Sequence, residues 1–286
     1  MELVHIGSMD FYETAQNIGL QHVQCRLGGN NMKLGAQLFT VRAQCKTLEG
    51  LSESLKKVAD IGYTTVQISG SCTYDAHWLK QELDKNGLKC VLTHTAPVRL
   101  QEETVAVCRE HKIFGAGCVG LGGFVFQNSE LPDQYNRFVE LYKPVAKTIK
   151  EQGLYFMHHN HDYEFLKTGG KTILEKLAED FSPDELGFTL DTFWVQAGGA
   201  SPAEWIRQLK GRVPCVHLKD YQSARGGFAE NICAIGDGNI NFDPIIQAAE
   251  AAGTEYLLVE QDDCHGEDPF ACLDRSYRNL RAMGLL

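Results

Sequence analysis

The sequence predicts a (β/α)8 barrel, a single α/β domain preceded by a short N-terminal extension. Three observations predict it. Short, nearly continuous apolar runs alternate with amphipathic helical segments eight times along the chain, as expected of parallel strands covered on both faces. The strand starts recur on average about every 32 residues, which suits the roughly 250-residue span of an eightfold barrel. No G-x-G-x-x-G follows the first strand, where a doubly wound open sheet would usually carry its phosphate-binding fingerprint; Phe39-Thr40-Val41-Arg42 stands there instead.

Residues 1–31 carry polar and glycine-rich pieces such as Gly28-Gly29-Asn30-Asn31 and no strong period. They are read as an extension or alternative start ahead of a barrel at 32–286. The first strand, 33–38 (KLGAQL), leads to a helix with the stripe Leu51, Leu55, Val58 and Ala59, one face of a 3.6-residue period. Gly62 ends that helix before strand 64–68 (TTVQI). Gly87 and Gly115 are the next stops, ahead of strands 88–94 (LKCVLTH) and 117–121 (GCVGL). Glycine suits these places because it adopts the left-handed conformation that closes a helix. A helix with Phe138, Leu141, Tyr142 and Val145 on one face ends at Gly153, before strand 154–159 (LYFMHH). After strand 186–191 (LGFTLD), Ser201-Pro202 reads as an N-cap and first-turn proline. Strand 213–218 (VPCVHL) follows. Asp243-Pro244 is read as a second such cap, opening a helix with Ile245, Ile246, Ala249 and Ala252 that Gly253 closes before strand 256–260 (YLLVE). The long gap after the seventh strand leaves room for an extra loop near 221–240.

Lys plus Arg total 27 and Asp plus Glu 37, a net charge of −10. An acidic chain without a basic cluster speaks against a nucleic-acid partner and, more weakly, against a highly phosphorylated substrate. Apolar residues are 43% and charged residues 22%, a globular rather than a disordered composition. A chain of this length buries about three quarters of its surface, so a core forms without disulfide or metal staples. No run approaches about 18 apolar residues, and no basic n-region with an apolar stretch opens the chain. Neither a membrane span nor a signal peptide is therefore expected. The ten cysteines include no C-x-x-C pair and read as free, mostly buried thiols in a reducing cytoplasm.

The informative residues stand where the strands end, which in such a barrel is the catalytic face. Strand five ends in His158-His159-Asn160-His161-Asp162 and strand six in Asp191. Strand seven ends with His217, followed by Lys219-Asp220, and strand eight with Glu260, followed by Gln261-Asp262-Asp263. Side chains at adjacent strand ends converge over the barrel mouth. Two imidazoles and two carboxylates make a nitrogen–oxygen site for a divalent ion such as Mn²⁺, Co²⁺, Fe²⁺, Ni²⁺ or Zn²⁺. The candidate ligands are His159, Asp191, His217 and Glu260, although spacing alone leaves open which of His158, His159 and His161 faces inward.

The chain resembles the xylose-isomerase-like TIM barrels: sugar isomerases and epimerases, inosose dehydratases and related proteins. The resemblance covers about 32–286. It rests on Gly35-Ala36-Gln37-Leu38, on Leu190-Asp191-Thr192 with Gly198-Gly199, and on His217-Leu218-Lys219-Asp220. It also rests on Gly236-Asp237-Gly238-Asn239-Ile240 and on Val259-Glu260-Gln261-Asp262. The family's metal site is Glu, Asp, His and Glu from strands five to eight, and the resemblance places Asp191, His217 and Glu260 in the last three positions. His159 stands where the family has its first Glu, which keeps a ligand and removes one anionic base.

The resemblance implies divalent-metal-dependent proton abstraction next to a carbonyl, passing through an enediolate, on an unphosphorylated sugar or cyclitol; Mg²⁺ joins the candidate ions. Isomerisation or epimerisation is the first reading. A lyase or dehydratase acting on a keto-sugar, keto-glycoside or inosose is the second. A nuclease for abasic DNA and a non-catalytic sugar-binding barrel are further readings; the acidic charge opposes the former, and the latter requires that no metal bind. Glu260 and His161 are the candidate catalytic groups, with His161 in place of the lost base or orienting a ligand. His94, Lys219, Arg225 and Trp194 are candidate substrate contacts; Lys219 equally reads as an ion-pair partner, and Trp194 with Trp78 and Phe39 as core packing. Glu164 reads as a loop anchor or an acid/base, and Gly236 and Gly238 as a tight turn or a phosphate cradle. The expected partner is a small carbohydrate, and the resemblance allows a homo-oligomer.

Overall fold

A computed structural model describes residues 32–127, 130–223 and 231–285. Eight parallel strands form one sheet: β1 Lys33–Gln37, β2 Thr65–Ile68, β3 Lys89–Thr93, β4 Cys118–Leu121, β5 Tyr155–His159, β6 Leu186–Asp191, β7 Cys215–Leu218 and β8 Tyr256–Val259. Their spatial order is β3-β2-β1-β8-β7-β6-β5-β4. The parallel bridge His94–Gly120 joins the two ends and closes the barrel. Each expected strand appears; the sixth has its expected bounds and the others are shorter by one or two residues. The seventh loses its first two residues, because Pro214 has no N–H for the ladder and serves through its carbonyl, which accepts from Glu255 and Tyr256.

The surrounding helices are α1 Leu48–Ile61, α2 Ala76–Lys85, α3 Pro97–Glu102, α4 Thr104–Phe114 and α5 Leu131–Glu151. After them come α6 Ile173–Asp180, α7 Thr192–Ala197, α8 Pro202–Gln208, α9 Phe242–Ala252 and α10 Pro269–Ala282. Leu51, Leu55 and Val58 of α1 are fully buried, as are Phe138 and Ala146 of α5, so the apolar stripes face the sheet. Gly115 and Gly253 close α4 and α9 in the left-handed conformation. Ser201 caps α8 with Pro202 in the first turn, as expected. The cap of α9 is Asn241, whose side chain accepts from Asp243 N–H, rather than Asp243 itself. Phe242 is buried and already helical, which moves the start two residues upstream.

The nine described cysteines are all free thiols, five of them buried. Among the described residues no helix is long and apolar enough to cross a membrane. A cavity of about 550 Å³ opens at the N-terminal ends of the strands, lined by Met32, Lys33, Glu250 and Tyr256 among others. It contains no part of the histidine–carboxylate cluster, which lies at the opposite end. The expected extension at 1–31 and Arg225 lie outside the described residues.

Candidate metal centre at the barrel mouth

The C-terminal ends of β5 to β8 bring His159, Asp191, His217 and Glu260 together. One nitrogen or oxygen of each lies within 4.8 Å of the others, and all four residues are buried. Register produces the convergence: Asp191 pairs with His217 across β6 and β7, while Glu260 N–H donates to the Leu218 carbonyl. Parity decides among the histidines. His158 turns outward, packs its ring edge-on against Phe138 of α5 and pairs Nε2 with Glu164 at 2.8 Å. Its neighbour His159 therefore points into the barrel mouth.

The scaffold engages one side of these ligands and leaves the other free. Asp191 Oδ1 caps α7, accepting from Trp194 N–H at 3.0 Å, and Asp191 N–H donates to the buried Asn160 side chain at 3.0 Å. Asp191 Oδ2 faces the cluster. His159 Nδ1 donates to the Gly122 carbonyl at 3.1 Å; a carbonyl only accepts, so the ring hydrogen is on Nδ1. That leaves the Nε2 lone pair 3.4 Å from Asp191 Oδ2. Burial first, then the neighbouring His217, holds His159 well below the ordinary histidine range, so the ring is neutral. His217 Nε2 donates to Gln67 Oε1 at 2.6 Å, which leaves Nδ1 3.0 Å from Glu260 Oε2 with no hydrogen bond between them.

Lone pairs that face carboxylate oxygens repel unless a cation lies among them. Buried polar atoms are normally partnered, yet His217 Nδ1, His94 Nε2 and the amide nitrogens of Gln37 and Gln67 make no hydrogen bond. All four sit at the mouth. Two imidazole nitrogens and two carboxylates beside these atoms fit a divalent ion with nitrogen and oxygen preference. Gln67 and Gly122 hold the far nitrogens of the two histidines, the arrangement that orients metal-binding imidazoles.

Lys219 is the cation already present. Only 1% exposed, its Nζ lies 2.9 Å from Asp191 Oδ2, 3.2 Å from Glu260 Oε2 and 3.0 Å from Asp262 Oδ2. Burial alone would lower its pKa, but Asp191, Glu260 and Asp262 raise it above the ordinary lysine value. The ion-pair reading of Lys219 is thus realised, and its ammonium stands beside the cluster. Burial raises Glu260, but Lys219 and His217 outweigh it and hold the carboxylate low. Asp262 is pushed up to about 6, by burial and then by Glu260. Three carboxylates around one ammonium leave negative charge for a further cation.

The other expected residues fall around this centre. His161 stands edge-on to His159 with ring centres 4.8 Å apart and lies 5.2 Å from Trp194. Burial, partly offset by Asp191, pulls His161 to about 4. Tyr163 stacks on it and places its hydroxyl 2.8 Å from Nδ1. His94 lies 5.2 Å from His159 and 5.7 Å from His217. Burial and then His217 pull it to about 3. Trp194 presents its ring to His161 and to the Lys219 ammonium 5.6 Å away. Trp78 packs against the core, and Phe39 lies under the Arg42 guanidinium at 4.2 Å.

Two alternatives resolve on the structure. Glu164 is fully buried, bonded to His158 and to the His161 N–H at 2.7 Å, and so anchors the loop after β5. The backbone N–H groups of Gly236, Gly238 and Ile240 do converge as a cradle, but on the Asp220 carboxylate at 2.9–3.1 Å. A Cβ on Gly238 would stand 2.2 Å from Asp220 Oδ1, which explains the glycine and excludes a phosphate there. Asp220 thereby ties residues 236–240 back to the end of β7. Thr192 joins the ends of β6 and β7, donating to the Lys219 carbonyl at 2.8 Å and accepting its N–H at 2.9 Å. Sequence reasoning passed over Gln67, the one amide side chain within TTVQI, and the Gly122-Gly123 pair. A Cβ on Gly122 would stand 3.0 Å from the His94 ring, and one on Gly123 2.9 Å from His161 and Tyr163.

The xylose isomerase-like TIM barrel family model matches residues 55–281. The chain belongs to that family. This xylose isomerase-like barrel is 21% identical to the inosose dehydratase of Geobacillus thermodenitrificans over 246 residues, spanning 73% of this chain and 81% of the relative. It is 27% identical to the L-ribulose 3-epimerase of Mesorhizobium japonicum over 162 residues, covering 54% of this chain and 50% of that protein. A sugar phosphate isomerase/epimerase from Parabacteroides distasonis superposes with a TM-score of 0.72 at 21% identity, over 90% of this chain and 96% of the other. The IOLI protein with a bound zinc atom superposes at 0.66 and 15% identity, over 88% and 97% of the two chains. The two solved structures share its fold, and the two named relatives are enzymes.

Proposed function

We propose that this xylose isomerase-like barrel is a divalent-metal-dependent enzyme that moves a proton on a carbon next to a carbonyl of a sugar or cyclitol, giving isomerisation or epimerisation through an enediolate. The observation that carries the reading is the pair of imidazole nitrogens turned toward Asp191 and Glu260, each held there by a partner on its far nitrogen. His159, Asp191, His217 and Glu260 would hold the ion. The chemistry such an ion supplies when bound is Lewis-acid polarisation of a carbonyl and alignment of vicinal oxygens.

The remaining groups do the proton work. His161 exchanges the proton at Nε2. With Tyr163 accepting from Nδ1–H, the Nε2 lone pair takes the α-proton, and the imidazolium so formed carries that proton on Nε2 and returns it as the acid. Glu260, held strongly ionised, serves better as a ligand and charge than as the proton acceptor. Trp194 walls the site beside His161, and Lys219 balances charge as a substrate oxygen becomes anionic. The amides of Gln37 and Gln67 and the free His94 nitrogen offer hydrogen bonds to hydroxyls on the opposite side.

One observation favours a second outcome at the same site. By the resemblance, His159 stands where the family has an anionic base, so a symmetric two-carboxylate exchange would be missing. Loss of a β-substituent needs only one base and one acid, and the inosose dehydratase relative is matched over most of both chains. The test is NMR in D₂O with the Mn²⁺-supplemented protein and a panel of ketoses, inososes and 3-keto-glycosides. Deuterium should enter at the α-carbon with wild type and fail to enter with Asp191→Asn. An isomer that carries the deuterium and keeps every heavy atom marks the first outcome, and released water or aglycone the second. No exchange with any substrate class would overturn the proposal.

A further inference from the structure

A groove of about 440 Å³ opens on the same face, between the loops that follow β2 and β3. Its volume falls in the range of about 300–1,000 Å³ typical of small-molecule sites. It adjoins the candidate centre through one residue. His94 lines the groove, has Nδ1 3.2 Å from Ser69 Oγ, and stands within 5.2–5.7 Å of the His159 and His217 rings. Its buried Nε2 has no partner. The groove is rich in hydroxyls, with Ser69, Ser71, Thr73 and Thr95 on its walls and the Tyr74 ring beside them. The one guanidinium in its lining, Arg99, is consumed by Glu110 at 2.8 and 3.1 Å and by Glu103 at 2.9 Å. The walls are also built in advance. Lys46 donates to the Gly70 carbonyl at 2.8 Å, and Cys72 N–H to the Cys45 carbonyl at 2.7 Å.

From this lining we propose that the groove is a subsite for a second, uncharged sugar ring, so that the substrate is a keto-glycoside or keto-disaccharide rather than a free or phosphorylated monosaccharide. This rests on the carbonyl-adjacent proton chemistry proposed above. Hydroxyl donors and acceptors beside an aromatic face are what a pyranose ring meets best. A phosphate would find no uncommitted cation among the lining residues. The reacting ring lies against the cluster, the glycosidic link passes His94, and the second ring enters the groove.

Matched probes test it: methyl 3-ketoglucoside with one ring and 3-ketocellobiose with two. Dissociation constants, or KM where turnover occurs, are measured on the Mn²⁺-supplemented protein. Wild type should bind the two-ring probe at least tenfold more tightly. Ser71→Trp and Thr73→Trp each fill the groove from its lip, and a folded variant of either kind, checked by its Tm, should lose that advantage. Equal affinity in wild type, binding of neither probe, or an advantage retained in both folded variants would overturn the subsite. The underlying chemistry is judged apart, by α-proton exchange with the one-ring ketone. Exchange without a two-ring advantage removes only the subsite, and an advantage without exchange removes only the chemistry.

Discussion

Gln67, near the end of β2, holds His217, near the end of β7, by a 2.6 Å hydrogen bond across the barrel mouth. The amide oxygen fixes the imidazole hydrogen on Nε2 and leaves Nδ1 for the cluster. Partners of this kind typically affect metal affinity by 10–100-fold. Gln67→Leu should therefore weaken divalent-ion binding by roughly that factor while the fold persists, as read by competition with a chromogenic chelator. Unchanged affinity would mean that His217 owes its orientation to something else.

Lys219 shares its ammonium among Asp191, Glu260 and Asp262. Lys219→Met would leave these carboxylates facing one another without it. Removing one member of a buried ion pair costs on the order of 3–5 kcal/mol. The metal-free variant should show a clear drop in Tm, and saturating Mn²⁺ should restore much of it, because a divalent ion replaces the missing charge. Calorimetric scans with Mn²⁺ and with EDTA decide the matter. Equal losses in both conditions would show that the lysine serves packing alone.

Much of this was legible before the structure. Parallel strands buried on both faces read as short apolar runs, and Gly62, Gly87, Gly115, Gly153 and Gly253 after helices mark the next strand, so the eight strands stand within two residues of expectation. The four converging side chains were legible because barrel chemistry concentrates at strand ends. What spacing could not show was direction. His158 and His159 are distinguished by tertiary partners, Phe138 and Glu164 behind the sheet for the first and the Gly122 carbonyl at the mouth for the second. The role of Gly236 to Ile240 was hidden for a related reason. The anion that their N–H groups bind is Asp220, a residue 16 positions or more upstream. Gln67 was illegible because its partner is 150 residues away.

Gly120 carries the barrel closure. It bridges to His94, and its carbonyl accepts from Thr95 N–H at 2.8 Å. A Cβ at this position would stand 2.4 Å from the Thr93 carbonyl oxygen, a backbone atom that moves only with its strand. Gly120→Ala should separate β3 from β4 and cost about 1–3 kcal/mol, the usual penalty of overpacking. Urea denaturation measures it. Because His94 sits on the same seam, the one-ring probe should also bind more weakly to this variant. Wild-type stability would show that the seam yields freely.

Below the groove, His111 reports on acid stability. Its Nδ1 donates to the Val107 carbonyl at 2.7 Å, so Nε2 accepts from the Thr93 hydroxyl at 2.8 Å. Burial, only partly offset by the Val107 carbonyl, pulls its pKa to about 4. The unfolded chain takes up this proton near pH 6.5, whereas the folded chain resists until about 4. The unfolded state thus binds more protons through that window, and stability falls as the pH is lowered from 6.5 toward 4. At about 1.4 kcal/mol per pKa unit the contribution is on the order of 3 kcal/mol. His111→Gln keeps an acceptor for Thr93 and removes the titration. Its unfolding free energy, measured in urea from pH 7.5 down to 4, should fall less steeply than that of wild type, and parallel curves would show that His111 is not held neutral.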